Sequence, residues 1–580
     1  MTSYSDYYQD ELKRLRNSSV AFAERYPLLA PALEAAANDP DVERLLEGTA
    51  FLTAGIVQQL DDDYPVFLNH LAQVICPELL RPVPAATIVQ FTPRKGSAEL
   101  VHIKRGTPLE SEQVEDRSYR FTTCYDTDVW PLEIDNVDRG SAETMVSSVG
   151  GGQIRLSLHT MDIPLGTLPI ERLRFYLGGD FAGACDLYYL LNHHVEAVKI
   201  RNSSGQEVSL AANAVAGVGF ADGETLIPGN PRDLTVFTHI HDYFHFAEKF
   251  LFIEIDLQAW QQRSGDKFEI IMQLGQIPIP VPQLSRNRFI LFATPAVNLF
   301  EAEAEPVLLT HQRADYALAI KGSNSETQIF AINQVSGLRR GIKNRRPYRS
   351  YANYVQEGGN NAVYHLKQHY LAAQGRMSIA LCPTYPDRAP IEDGEILQVS
   401  VTATDGVAAL VLQPGQINRH AMGTPQRVTF TNLTPPKGAR PVADNSQLLW
   451  YLISHLSLQR ASLTSGSVLA SYLTHYAGLA SHGSSGVDLA QRRIEGIAGI
   501  TSGTAERFVR GRLFRGLDMR LQLRRDTFIS SGDRYLFGRM VCELYQALAP
   551  INHYTLFAIT DLDQEERIEW PMRLGTQTLI

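Results

Sequence analysis

Along the first 81 residues, apolar side chains recur every three or four positions. Tyr8, Leu12, Leu15, Ser19, Phe22 and Tyr26 step 4-3-4-3-4, which places them on one side of a helix with Ser19 as a polar interruption. A second helix is predicted to open at Asp39-Pro40, an N-capping residue followed by proline at the first helical position. There Val42, Leu45, Thr49, Leu52 and Ile56 step 3-4-3-4. A third helix is predicted from Pro65, with Phe67, Leu68, Leu71 and Ile75 inward, ended by Pro77, Pro82 and Pro84. The two seams either pack on each other or stay open for another chain, and spacing does not choose between these.

From Ala85 the period changes to two. Residues 87–91, 100–103, 119–123, 154–158, 173–177, 195–200 and 250–257 read as strands, with one helix over 182–191. Short strands separated by Gly, Pro and Asp predict sandwich-like sheets with a helix packed on them. The segment from Phe268 to about Thr434 is again β-rich, with long loops, notably Val335 to Asn361. Beyond Pro435 the pattern is mixed. Ser446 is placed to cap a helix carrying Leu448 to Leu456, a further helix falls near Tyr535 to Leu548, and strands fall at 517–523 and 554–559.

The fold expected is therefore multidomain α+β in four parts. Residues 1–84 form a helical bundle segment, 85–262 a β-rich domain with one inserted helix, 263–440 a second β-rich domain with long loops, and 441–580 a mixed α/β domain.

Composition adds exclusions. With 53 Lys and Arg against 63 Asp and Glu, the net charge is −10 over 580 residues, too acidic a balance for a chain built throughout to coat nucleic acid or anionic membrane. Cys76, Cys124, Cys185, Cys382 and Cys542 are scattered, with no zinc-ribbon or CxxC spacing, as expected for a reducing compartment. The start lacks a secretory pattern, and the longest apolar run, Phe289 to Phe300, is interrupted by Pro295 and Asn298. A membrane span needs about 20 apolar residues. A cytosolic protein is expected.

No catalytic motif emerges. There is no GxxxxGK[ST] loop and no HExxH. The glycines of VGFADG open no helix, and HGSSG at His482 lacks the nucleophile-elbow spacing. His239, His241 and His245 are the nearest approach to a metal site, since on a strand residues 239 and 241 share a face. Further ligands are missing and Tyr243, Phe244 and Phe246 surround the three, so packing of a loop into a strand is expected, without metal. Asp61-Asp62-Asp63 reads as a solvated turn between helices. Neither enzyme activity nor a cofactor is expected.

A basic run, Arg339, Arg340, Lys343, Arg345, Arg346 and Arg349, is accompanied by Tyr348, Tyr351 and Tyr354. Such a run suits a solvated loop, an acidic protein surface or single-stranded nucleic acid. A protein contact through Arg345 and Arg346 is the expectation carried forward. Arg507, Arg510, Arg512, Arg515 and Arg520 alternate with apolar residues as the polar face of strands does.

Several long strings occur in the order of one family. They are YYQDELKRLR and FAERYP near the start, DPDVERLLEGTAFLTA from Asp39, and VQFTP from Val89. LRFYLGGD follows from Leu173, YFHFAEKFLF from Tyr243 and TPAVNLFEAEAEPVLLTH from Thr294. LLWYLISHLSL, YLFGRMVCELYQALAPIN and WPMRLG close the set. Together they resemble the TssF family (also called VasA or ImpG) of type VI secretion baseplate subunits. The chain departs from the family pattern between Val335 and Asn445 and over Leu463 to Ala480. The resemblance implies a structural role similar to that of wedge proteins in contractile phage tails. Two TssF copies would combine with one TssG, with TssE and with TssK, around the spike or hub, as the platform for sheath polymerisation. It implies a bacterial cytoplasmic protein docked to the inner-membrane complex through other baseplate proteins. A wedge protein of another contractile machine is the alternative, with a nucleic-acid module using residues 339–349 behind it. Under the resemblance, Tyr8, Leu12, Leu15, Phe22, Tyr26, Val42, Leu45, Leu52 and Ile56 are candidate contacts with TssG and the second copy.

Overall fold

A computed structural model describes residues 4–575 apart from 27–39, 76–79, 95–98, 141–150, 162, 230–234, 262, 323–325, 340–344, 352–361, 372–375, 386–393, 443–464, 481–483, 510–511, 552 and 563–565. The expected helix after Ser446 lies outside the described residues.

The chain opens with two helices, α1 (Tyr4–Arg25) and α2 (Pro40–Ile75), packed as an antiparallel hairpin. Pro40 is the first helical residue, where a missing N–H costs nothing. The expected turn at Asp61 to Asp63 and the separate helix from Pro65 are corrected: α2 runs unbroken for 36 residues, about 54 Å at 1.5 Å per residue. The apolar step of three and four continues from Ile56 through Leu60 to Phe67, so one helix keeps one stripe. Phe67, expected inward, is 63% exposed, while Leu68 and Ala72 are buried.

After α2 the chain builds three larger antiparallel sheets and a two-stranded one of Val101–Ile103 with Thr127–Val129. The first has six strands in the spatial order Ile417–His420, Pro108–Ser111, Arg120–Thr123, Ala293–Val297, Ala86–Pro93 and Val428–Asn432. The second carries Gly151–Thr160 and Val195–Asn202 on either side of Lys267–Gln276. The third is ordered Val215–Val218, Phe252–Asp256, Arg172–Leu177 and Phe289–Leu291. Strand pairing therefore does not follow the expected boundary at 262. Ala86 faces Val297 and Val89 faces Asn432, so residues from both expected β domains share one sheet. A separate core forms from residues between Phe300 and Ala403, a domain inserted into the chain between two strands of the first sheet. Its large sheet is centred on Ile396–Thr404, Gln328–Leu338, Arg346–Ser350 and Val363–Leu371.

Helix α3 (Phe181–His193) starts at Asp180, whose carboxylate accepts from the Gly183 N–H at 2.8 Å. Helix α4 (Thr235–His245) holds the three histidines. The C-terminal part contains α5 (Gly466–Ala480), α6 (Ser484–Glu495) and α7 (Ser531–Ala547), the last capped by Ser530. Its sheet is ordered Ile497–Val509, Arg512–Leu523, His553–Asp561, Arg567–Leu574. The middle two strands are parallel, and α7 is the crossover that joins them. This part does not stand alone. α7 packs on α3 and α4, and its apolar residues belong to the same core as the first three sheets.

Candidate docking surfaces

The helical hairpin closes through small and few residues. Leu12 and Ala23 of α1 and Ala50 and Ala54 of α2 are buried. Tyr4 reinforces the contact, donating its hydroxyl to the Phe51 carbonyl at 2.6 Å and setting its ring edge-on to that of Phe51. Arg16 pairs with Glu43. The alanines let the two backbones come close, so the bulky residues of α2 are turned away.

The expected seams thus divide. On α1, Leu12 is buried within the hairpin, Tyr8 and Leu15 are half-buried, and Phe22 and Tyr26 are exposed with their rings in contact. On α2, Val42 is half-buried, while Leu45, Leu52 and Ile56 are 73%, 70% and 60% exposed. Leu60 and Phe67 extend the open stripe; the sequence reading stopped at Ile56 because it ended the helix there. Of the two readings of these seams, the α2 seam is open in this chain. Covering each Leu, Ile or Phe of such a stripe would be worth roughly 1.5–3 kcal/mol.

The basic run falls on the hairpin between strands Gln328–Leu338 and Arg346–Ser350. Arg340 and Lys343 lie outside the described residues. Arg345 is exposed, whereas Arg346 turns inward and is half-buried. Its guanidinium lies over the rings of Tyr348 and Tyr385 and 3.9 Å from Glu395 Oε2. Arg339 Nε is 3.7 Å from Glu395 Oε1, and the Tyr348 hydroxyl donates to Oε2 at 2.8 Å. Glu395 is 1% exposed, so this carboxylate holds both ends of the basic hairpin to the sheet. Gly337 makes the approach possible, since a Cβ there would sit 1.9 Å from Glu395 Oε1.

The histidines are on helix α4, not on a strand, and that changes their neighbours. Residues 239 and 241 are about 200° apart around a helix, so they do not share a face. His239 Nδ1 is 3.3 Å from Lys249 Nζ, whereas the rings of His241 and His245 stack obliquely 5.9 Å apart. Burial pushes His239 down to about 4 and His245 to about 3. Among the described residues, no group of three or more His, Cys, Asp or Glu side chains is arranged to hold a metal ion.

Arg507, Arg512, Arg515 and Arg520 of the second arginine run lie on the hairpin of strands Ile497–Val509 and Arg512–Leu523, where Arg515 Nε is 3.0 Å from Glu506 and Arg507 3.5 Å from Asp518. Among the described residues, no helix is long and apolar enough to cross a membrane.

The comparisons with known proteins agree with this architecture. A chain of the TssK-TssF-TssG baseplate subcomplex of a type VI secretion system, solved by cryo-electron microscopy, superposes with a TM-score of 0.77 at 22% identity, covering 92% of this chain and 99% of that one. A chain of a type VI baseplate complex gives 0.59 at 19% identity over the full length of both. At these identities the likeness is one of fold. The type VI secretion system component TssF1 of Pseudomonas aeruginosa is 24% identical over 619 residues, covering 99% of this chain and 98% of that protein. The family described as type VI secretion system, TssF, matches residues 1–577, and the chain belongs to that family.

Proposed function

We propose that this chain is a structural subunit of a type VI baseplate wedge, joined to its partners through the open stripe of α2. The carrying observation is that stripe: Leu45, Leu52, Ile56, Leu60 and Phe67 line one 36-residue helix, and α1 does not cover them. Membership of the TssF family, and the folds shared with chains of TssK-TssF-TssG and baseplate assemblies, support the setting. In this reading TssG and a second copy of this chain complete a bundle on α1 and α2, two copies to one TssG. TssK, TssE and the hub join the same wedge, which carries the sheath. The chain works in the bacterial cytoplasm and reaches the inner-membrane complex through other baseplate proteins.

The role is mechanical rather than catalytic. It needs a stiff helical arm and large sheets that hold their relative placement, and the shared core of the β sheets and C-terminal part supplies that stiffness. Co-expression with TssG and TssK from the same secretion system is the test. The reading expects one complex containing all three chains with two copies of this one. Separate elution of this chain from TssG would reject it.

A further inference from the structure

Three stretches of chain join the helical hairpin and the inserted domain to the other sheets and helices. They are residues 80–85 after α2, and the crossings into and out of the inserted domain at 297–300 and 403–406. All three meet at Asn298, which is fully buried. Its backbone N–H donates to the Ala85 carbonyl at 2.8 Å and so holds the segment that leaves α2. Its side-chain Nδ2 donates to the Arg120 carbonyl of the first sheet at 2.8 Å and to Asp405 Oδ2 at 3.0 Å. Its Oδ1 accepts from the Asp405 N–H at 2.7 Å and from the Thr404 hydroxyl at 2.8 Å. An amide side chain offers two donor and two acceptor positions, and all are used here. Connections gathered at a few element-terminal residues are the geometry of a hinge.

On one side of this point, α2 is seated on the inserted domain. Gln73 Nε2 donates to the Leu366 carbonyl at 2.6 Å, and Gln368 Nε2 donates to the Leu80 carbonyl at 2.9 Å. The rings of His70 and His365 meet edge to face at 5.0 Å. Helix and inserted sheet are thereby joined by contacts that do not pass through the hinge.

A single aromatic residue of the inserted sheet reaches the other side. Ile329 faces Ala403 and Ala331 faces Thr402, which leaves Phe330 as the extra residue of a β-bulge. Bulges re-aim side chains, and Phe330 is 4% exposed within the core of the first three sheets, while Ile329 belongs to the inserted domain's own core. Phe330 lines a small pocket with Ile227, with Phe237 and His241 of α4, and with Tyr476 of α5. The Arg81 guanidinium lies over its ring at 5.2 Å. About 40 Å³ of the pocket stays open, so the ring is held less closely than in a filled core.

We propose that the helical hairpin and the inserted domain form one movable body, which pivots at Asn298 and is pinned by Phe330 in its socket between α4 and α5. The proposal rests on the reading of α2 as a docking surface and names what controls that surface: the pin sets the direction in which α2 presents its stripe.

Double electron–electron resonance on the purified full chain tests this, with spin labels carried on non-canonical residues so that the native cysteines stay untouched. Labels go at the exposed Gln59 of α2, Gln398 of the inserted sheet and Ser209 of the second sheet. In Phe330→Ala the distances from Ser209 to Gln59 and to Gln398 should broaden or shift together, while Gln59 to Gln398 stays as narrow as in the wild type. Phe330→Leu, which refills the socket, should keep all three near wild type. Gln73→Ala with Gln368→Ala should do the converse, broadening Gln59 to Gln398 and sparing Gln398 to Ser209. Equal broadening of all three distances in Phe330→Ala overturns the single body, and three unchanged distances overturn the pin. These distances are read without TssG, so they stand or fall apart from the α2 reading. In co-expression Phe330→Ala should lower TssG recovery. Full recovery despite shifted distances, alongside loss with Leu52→Asp plus Ile56→Asp, would overturn the control of docking and leave the α2 reading standing.

Discussion

Lys249 Nζ lies 2.5 Å from Asp242 Oδ2, and neither side chain has any exposure to solvent. The pair is the polar centre of the core beneath α4. The same carboxylate oxygen accepts from the Leu226 N–H at 2.9 Å, and the ammonium donates to the Glu224 carbonyl at 2.7 Å. Burial by itself raises a carboxyl group, but the adjacent Lys249 holds Asp242 below its ordinary range. Burial pulls Lys249 down from its own. A buried ion pair adds little net stability, but losing one partner strands the other.

Lys249→Met should therefore destabilise the protein by about 3–5 kcal/mol, because Asp242 is left buried and uncompensated. Lys249→Met with Asp242→Leu should recover much of that loss. Chemical denaturation of the three proteins measures both. A single variant as stable as the wild type would show that the pair is not closed to water.

Stability should fall as the solution is acidified from neutral pH. His239, His241 and His245 all have folded values lowered by burial, His239 to about 4 and His245 to about 3. A lowered histidine contributes full stability above the unfolded value near 6.5 and loses it as pH drops from there toward the folded value. Each such group gives a slope of up to about 1.4 kcal/mol per pH unit in that window. Asp242 works the same way lower down, its contribution being lost only as pH falls below about 4. Melting temperature against pH should decline from about pH 6.5 downward, and His245→Phe should flatten the decline. A profile level between pH 7 and 5 would count against it.

Gly532 shows how the C-terminal part is fixed to the β sheets. It opens α7 against α3, and a Cβ there would lie 2.1 Å from the Cys185 backbone. Its N–H donates to Asp186 Oδ1 at 2.7 Å. Gly532→Val should force the two helices apart and cost at least the roughly 1–3 kcal/mol of an overpacked core. Hydrogen exchange should then rise in α3 and α7 before it rises in the inserted domain, whose core is separate. Unchanged protection in α3 would contradict this packing.

Glu395 supplies a test of the basic hairpin. Glu395→Gln removes the charge that faces Arg339 and Arg346, so limited proteolysis at the arginines of 339–346 should quicken several-fold while the distant C-terminal sheet stays protected. Equal cleavage rates would mean that the carboxylate does not hold the hairpin.

The elements with strong local signals were legible from the residues alone. Helix α3 was read over 182–191 and α7 near Tyr535 to Leu548, while their caps, Asp180 and Ser530, emerge only from the structure. The α2 stripe was legible as far as Ile56. It was cut short because three aspartates at 61–63 read as a turn, although α2 runs through them as one helix. The closed face of the hairpin was missed because it is made of Ala23, Ala50 and Ala54, which carry little pattern weight beside Leu and Phe. Strand partners across residue 262 were not legible for a different reason. Pairings such as Val89 with Asn432 join residues far apart in the chain, and periodicity holds no record of such partners. The inward turn of Arg346 was likewise hidden, since Glu395 reaches it only across the folded sheet.

The most direct test of the docking account is the mass of the complex recovered when this chain is co-expressed with TssG, comparing wild type with Leu52→Asp plus Ile56→Asp. Both residues are exposed in the isolated chain, so the variant should fold and melt normally, unlike Leu12→Asp, which would strike the closed face of the hairpin. The account predicts a complex of two copies with one TssG for the wild type and separate, folded species for the variant. Recovery of the full complex from the variant at wild-type yield would contradict it.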